Sequence, residues 1–104
     1  MIQAAFDYLD DKDGTAAQAF ADAVIAEARR KATRASLVLR SEERTQGMKE
    51  AEAECHPDLA EAYVVEAQAV KAVEWHRRQK SRAEAVIETW RSEQANERGL
   101  RRVG

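Results

Sequence analysis

Cys55-His56-Pro57-Asp58 contains the only proline of the chain, close to the middle of its 104 residues. It separates two polar, alanine-rich stretches, each of roughly 40 residues, whose apolar positions recur at helical spacing. A helix interior rejects proline, because the ring removes a hydrogen bond and collides with the preceding turn, whereas the first helical turn accepts it. The chain is therefore expected to turn once, at 55–58. The predicted fold is all-α: a long antiparallel helical hairpin, with helix one at 15–54 and helix two at 58–97. A short N-terminal helix or arm occupies 1–14, and a basic tail occupies 99–104.

Composition limits what such a hairpin can be. The apolar fraction of 44% is largely alanine, there are few aromatics, and the net charge is −2. Alanine favours helix and lets helices approach closely, yet it buries little area, so an isolated hairpin has a thin core. A partner is expected, most simply a second copy, giving a homodimeric four-helix bundle that buries a further face of each helix. The lone Cys55 can form no internal disulfide, which fits a reducing compartment. No run approaches the roughly 18 apolar residues of a membrane span, and the acidic N-terminus is unlike a signal peptide. The expected location is cytoplasmic, with no membrane contact.

Local signals mark the elements. Ile2, Ala5, Phe6 and Leu9 form a short amphipathic stripe that ends in Asp10-Asp11-Lys12-Asp13-Gly14. Thr15 to Gln18 has capping-box spacing, and so does Asp58 to Glu61. On helix one, Ala21, Val24, Ile25, Ala28, Ala32, Ala35 and Leu39 keep a helical period and are predicted to face the core. Gly47 is the expected point of fraying, between about 45 and 47. On helix two the core stripe runs Leu59, Ala62, Tyr63, Ala69, Val70, Val73, Ala83, Ile87 and Trp90, interrupted by Glu66, His76 and Lys80. Its drift is that of a left-handed supercoil. Gly99 is the expected helix stop.

No constellation amounts to a reaction mechanism. Asp11 to Thr15 resembles the middle of a calcium loop, but Leu9 and Phe20 fall where ligands are required. Cys55 and His56 adjoin each other, while His76 lies roughly 27 Å along helix two, too far to complete a metal set. No glycine-rich phosphate loop occurs, and the carboxylates sit at helical surface spacing. The expectation is a protein without catalytic activity, cofactor or metal.

The basic residues are more informative. Lys71, Trp75, Arg78 and Arg82 share one face of helix two, away from its apolar stripe. Arg29, Thr33, Leu37, Arg40 and Arg44 share a face of helix one in the same way. A turn near residue 56 brings Leu37 level with Trp75. Two readings follow. Leu37, Val64 and Trp75 form a second packing seam of a homodimer, flanked by arginines; or the basic residues neutralise phosphates while the indole stacks on a base. A negatively charged protein would use the same belt.

At Met48-Lys49, His56-Pro57 and Ile87-Glu88-Thr89-Trp90-Arg91 the chain resembles small helical-hairpin proteins encoded among the early or recombination genes of tailed bacteriophages and prophages. The resemblance covers residues 30–97 and implies a non-catalytic accessory role in DNA metabolism or recombination, through a phage or host protein partner or through weak nucleic-acid binding. An inhibitor of a host defence or regulatory protein, similar to an anti-CRISPR, and a purely structural assembly subunit are the alternative roles.

Overall fold

The computed structural model describes residues 1–11 and 13–103, apart from the side chains of Arg102 and Val103. It is all-helical, with four helices in order: α1 (Ile2–Asp10), α2 (Thr15–Arg40), α3 (Gln46–Glu54) and α4 (Pro57–Val103). No strand occurs among the described residues, and no helix is long and apolar enough to cross a membrane. The chain divides into two compact units. One comprises Met1–Ala17 and Glu74–Gly104, the other Gln18–Val73.

In the first unit α1 packs antiparallel on α4. Ala5 is buried with Ala83 and Ile87, and Ile2, Tyr8 and Val86 close around them. Tyr8 meets His76, one end of the contact, while the Phe6 ring sets its edge on Trp90 at a centroid distance of 6.4 Å. The helix stops at Asp11, whose left-handed backbone (φ 48°) lets its N–H reach the Tyr8 carbonyl. The Asp11 carboxylate then accepts from the amides of Ala16 (3.1 Å) and Ala17 (3.2 Å). One residue thus ends α1 with its backbone and caps α2 with its carboxylate, the latter being the role expected of the Thr15 hydroxyl, and Thr15 is itself the first residue of α2. The amide bonds hold the Asp11 carboxyl below its ordinary pKa.

In the second unit the turn is larger than Pro57 alone predicts. α2 ends at Arg40, residues 41–45 leave the helix, and α3 follows. The break precedes Gly47 because Thr45 supplies a cap: extended, it accepts from the Met48 N–H at 3.1 Å. Ser41 turns the chain from the other side, donating to Glu52 and accepting from the Glu43 amide. Helix one at 15–54 is therefore two helices. Pro57 does open α4, as its first residue; the preceding His56 caps it, its Nδ1 accepting from the Asp58 N–H at 3.0 Å. At the far end α4 continues through Gly99 to Val103, so the expected basic tail is largely helix. A single glycine costs about 1 kcal/mol relative to alanine and does not by itself end a helix.

The core of this unit is a narrow seam. Leu59 is fully buried, Ala53 nearly so, and both pack on Leu37 with Val38 alongside. Along α2 a line of buried or half-buried positions runs Ala19, Ala23, Ala26, Arg30, Thr33 and Leu37, with Arg34 and Val38 half-buried beside it; along the start of α4 the line runs Leu59, Ala62, Glu66, Ala69 and Val73. Both series alternate steps of three and four, the spacing of a left-handed coiled coil. Arg30 Nε bonds both Glu66 oxygens, at 3.0 and 2.9 Å. Arg30 to Glu66 and Leu37 to Leu59 are both centred on Met48, so α2 and the start of α4 run antiparallel about that residue.

Candidate interaction surface

The seam on α2 is not the stripe that its apolar content suggests. Ala21, Val24, Ile25, Ala28, Ala32, Ala35 and Leu39 lie on the opposite side of the helix and are all exposed, Val24 by 68% and Leu39 by 85%. Correspondingly Leu37, read as outward-facing, is buried against Ala53 and Leu59. It belongs to the chain's own core, not to a seam with a second copy. The cause is chemical: Arg30 and Thr33 are tolerated inside because Glu66 stands opposite Arg30, and Tyr63 lies under its guanidinium at 5.4 Å. Hydrogen bonding to Glu66 raises the Arg30 pKa above its ordinary value, although burial opposes this. With the seam so occupied, the more apolar face of α2 is left to solvent.

An exposed helix face with Val24, Ile25 and Leu39 along it is a surface for packing against another helix. Its members at 21, 25, 28, 32, 35 and 39 again alternate steps of four and three. The spacing is visible in the sequence, but it signals only that the face packs on something. On the same unit, α4 exposes Val64 by 56%, and Val65 and Val70 are exposed at other points around the helix.

The predicted basic residues are all at the surface, in two separate units. Arg29, Arg40, Arg44 and Lys71 belong to the second unit. Arg40 Nε leans on the Ser36 carbonyl at 3.4 Å, while Arg29, Arg44 and Lys71 make no ion pair among the described residues. Trp75, Arg78 and Arg82 belong to the first unit. Trp75 is half exposed, its ring set edge-on to His76 at 4.9 Å. Arg78 and Arg82 carry no ion pair among the described residues, and Arg82 borders two shallow apolar grooves beside α1, of about 300 and 320 Å³. The level pairing expected of Leu37 needs its side chain at the surface, and it is buried. Leu37 sits with Leu59 instead, because residues 41–54 take up the chain that a tight turn at 56 would have left in helix one.

Among the described residues His76 is the one buried polar side chain. Its Nδ1 lies 2.8 Å from the Tyr8 hydroxyl, which is also 3.0 Å from the His76 carbonyl. One arrangement satisfies both contacts: Nδ1–H donates to the phenol oxygen and the phenol donates to the carbonyl. Burial, and then the charge of Asp11, hold the Tyr8 phenol above its ordinary pKa. This pair fastens α1 to α4. Comparison with protein-family models, curated proteins and solved structures finds no match for the chain.

Proposed function

We propose that the chain is a non-catalytic helical interaction module, and that its working surface is the outer face of α2. The observation that carries this reading is the exposure of Val24, Ile25 and Leu39 on the side of α2 opposite its buried seam. A helix that buries its alanine- and arginine-lined side and leaves its larger aliphatic side chains in water supports a packed, partner-bound state as the functional one. The setting implied by the resemblance is an accessory role in phage DNA metabolism. A photo-crosslinking amino acid at Val24 should trap a protein partner, whereas one at Glu61, on the exposed surface of α4, should not. Equal trapping at both positions, or none at Val24, refutes the reading.

A second reading rests on a separate observation, the half-exposed Trp75 beside Arg78 and Arg82, which lack intramolecular ion pairs among the described residues. These groups suit stacking and phosphate neutralisation on a single strand. Binding should then weaken with salt at a slope of roughly −0.7 per phosphate neutralised. Arg78→Glu with Arg82→Glu should abolish it while leaving helicity intact; unchanged binding removes this reading.

A further inference from the structure

We infer that the occupant of the α2 outer face is a second copy of this chain, packed antiparallel across a two-fold axis with Ala28 of one copy against Ala32 of the other. The inference rests on the proposed role of that face and names its partner.

The argument begins with spacing and size. Positions 21, 25, 28, 32, 35 and 39 form an uninterrupted alternation of four- and three-residue steps. This is the repeat that keeps one helix in register with another along its length. Alanine occupies the middle of the stripe, and the larger Ile25 and Leu39 lie toward its two ends. Setting Ala28 against Ala32 brings Ala21 opposite Leu39 and Ile25 opposite Ala35. Each large side chain then meets a small one, as close helix packing requires. The other direction fails this test. A parallel, in-register pair sets Leu39 against Leu39 and Ala21 against Ala21, overfilling one end and leaving the other loose.

Charge selects the same direction. Asp22, Arg29 and Arg40 flank one side of the stripe, and Glu27 and Lys31 flank the other. In an antiparallel pair like flanks meet, so residue 22 of one copy comes within a turn of residue 40 of the other, and residue 27 comes beside residue 31. Two Asp22 to Arg40 contacts and two Glu27 to Lys31 contacts follow from the symmetry. Two like-charge approaches occur near the axis, Arg29 to Arg29 on one flank and Lys31 to Lys31 on the other, and the four opposite-charge contacts outnumber them. In a parallel pair Asp22 and Arg40 stay about 27 Å apart at roughly 1.5 Å per residue, and neither gains a partner. Asp22 now accepts only from Gln18 within its own helix, and Arg40 reaches only a carbonyl, so both are available. Lys31 and Glu27 already pair along the helix at 3.0 Å and extend to a four-charge cluster across the axis.

Paired cysteines on the full chain test both identity and direction, in a Cys55→Ala background that removes the one native thiol. A mixture of Ala21→Cys and Leu39→Cys proteins should oxidise mainly to the mixed 21–39 disulfide, because a disulfide needs Cα atoms about 4–7 Å apart. The 21–21 and 39–39 homodimers should be several-fold scarcer. Sedimentation of the unmodified chain should show a dimer, and Ile25→Glu with Ala32→Glu should convert it to a monomer of unchanged helicity. Predominant 21–21 and 39–39 products overturn the antiparallel register. A monomer at every concentration, with no cysteine cross-link, overturns the second copy as occupant. In that event, trapping of another protein at Val24 preserves the proposed role of the face, and absence of any trapped protein refutes both.

Discussion

Arg30 on α2 and Glu66 on α4 stand inside the helical seam, Nε bonding both carboxylate oxygens, at positions that the repeat otherwise assigns to apolar side chains. Both side chains are about one-fifth exposed, at 21% each, so water screens the pair without replacing it. The pair decides which side of α2 faces inward. It also fixes the register about Met48, because a shift of one turn separates the charges and leaves each half-buried without a partner.

Arg30→Ala and Glu66→Ala are each expected to lower the urea midpoint. The double variant should lose clearly less than the two single losses added together, because the second change removes a charge that the first has already stranded. Exchanging the two residues should recover most of the loss. A double-mutant cycle read by circular dichroism decides this; strict additivity excludes a structural role for the pair.

Leu37 and Leu39 test the phase of α2 directly. Leu37→Ala empties a site packed on Leu59 and Ala53 and should cost about 2–5 kcal/mol. Leu39→Ala, at an 85% exposed position, should stay within about 0.5 kcal/mol in the monomer. Urea unfolding at low protein concentration measures both. The reverse order would place the sequence-predicted stripe in the core after all.

The sequence carried the helical class and the position of α4 openly, because Pro57, Asp58 and the Leu59 to Ile87 stripe agree with one another. The phase of α2 was hidden because alanines repeat at heptad spacing on two opposite sides, at 19, 23 and 26 and again at 21, 28, 32 and 35. Apolar content favoured the second. What reverses the choice is Glu66, thirty-six positions away, and no local pattern on α2 contains it. The break at 41–45 was obscured in a similar way. Attention falls on Gly47, whereas the structural cause is the Thr45 hydroxyl, which is a cap only if the preceding residues are not helical. For the interaction surface the residues are legible and the face is not: Val24, Ile25 and Leu39 read as a packing stripe, but nothing local shows that the stripe faces outward and not into the chain's own core.

His56 caps α4 through a ring nitrogen, an uncommon use of histidine that makes a clear prediction. His56→Ala should destabilise the chain by about 1 kcal/mol, whereas His56→Asp, a strong capping residue, should restore or exceed the original stability. Thermal unfolding of the three proteins checks the ranking. Equal losses for Ala and Asp would show that the imidazole acts through some contact other than the Asp58 amide.

The phenol of Tyr8 titrates above its ordinary value of 10.0, because burial and then Asp11 disfavour the phenolate. A pKa raised on folding means that the contribution is complete below that ordinary value and is lost as the pH rises through the folded value. Alkaline pH should therefore release α1 from α4 before the second unit unfolds, seen as selective loss of amide protection over Ile2–Asp10. Tyr8→Phe should weaken the docking by about 1 kcal/mol at neutral pH, through the lost hydrogen bonds, and should abolish its alkaline limb. Tyr63→Phe should leave that limb in place.

Asp11 makes the opposite prediction at acid pH. Its carboxyl is held below the ordinary 3.8, first by the amides of Ala16 and Ala17, so its contribution is present above that value. That contribution is lost as the pH falls through the lower folded value. Acid should fray the start of α2 and loosen the α1–α2 connection while the seam about Leu59 persists. Two substitutions separate the charge from the backbone. Asp11→Asn keeps an oxygen acceptor and tolerates the left-handed conformation, so it should retain much of the cap but show no acid dependence. Asp11→Ala loses the acceptor and also strains at φ 48°, so it should be the more destabilising at neutral pH. Amide exchange at Ala16 and Ala17, followed against pH in the three proteins, separates these outcomes. An acid limb that survives in Asp11→Asn would assign the transition to another carboxylate.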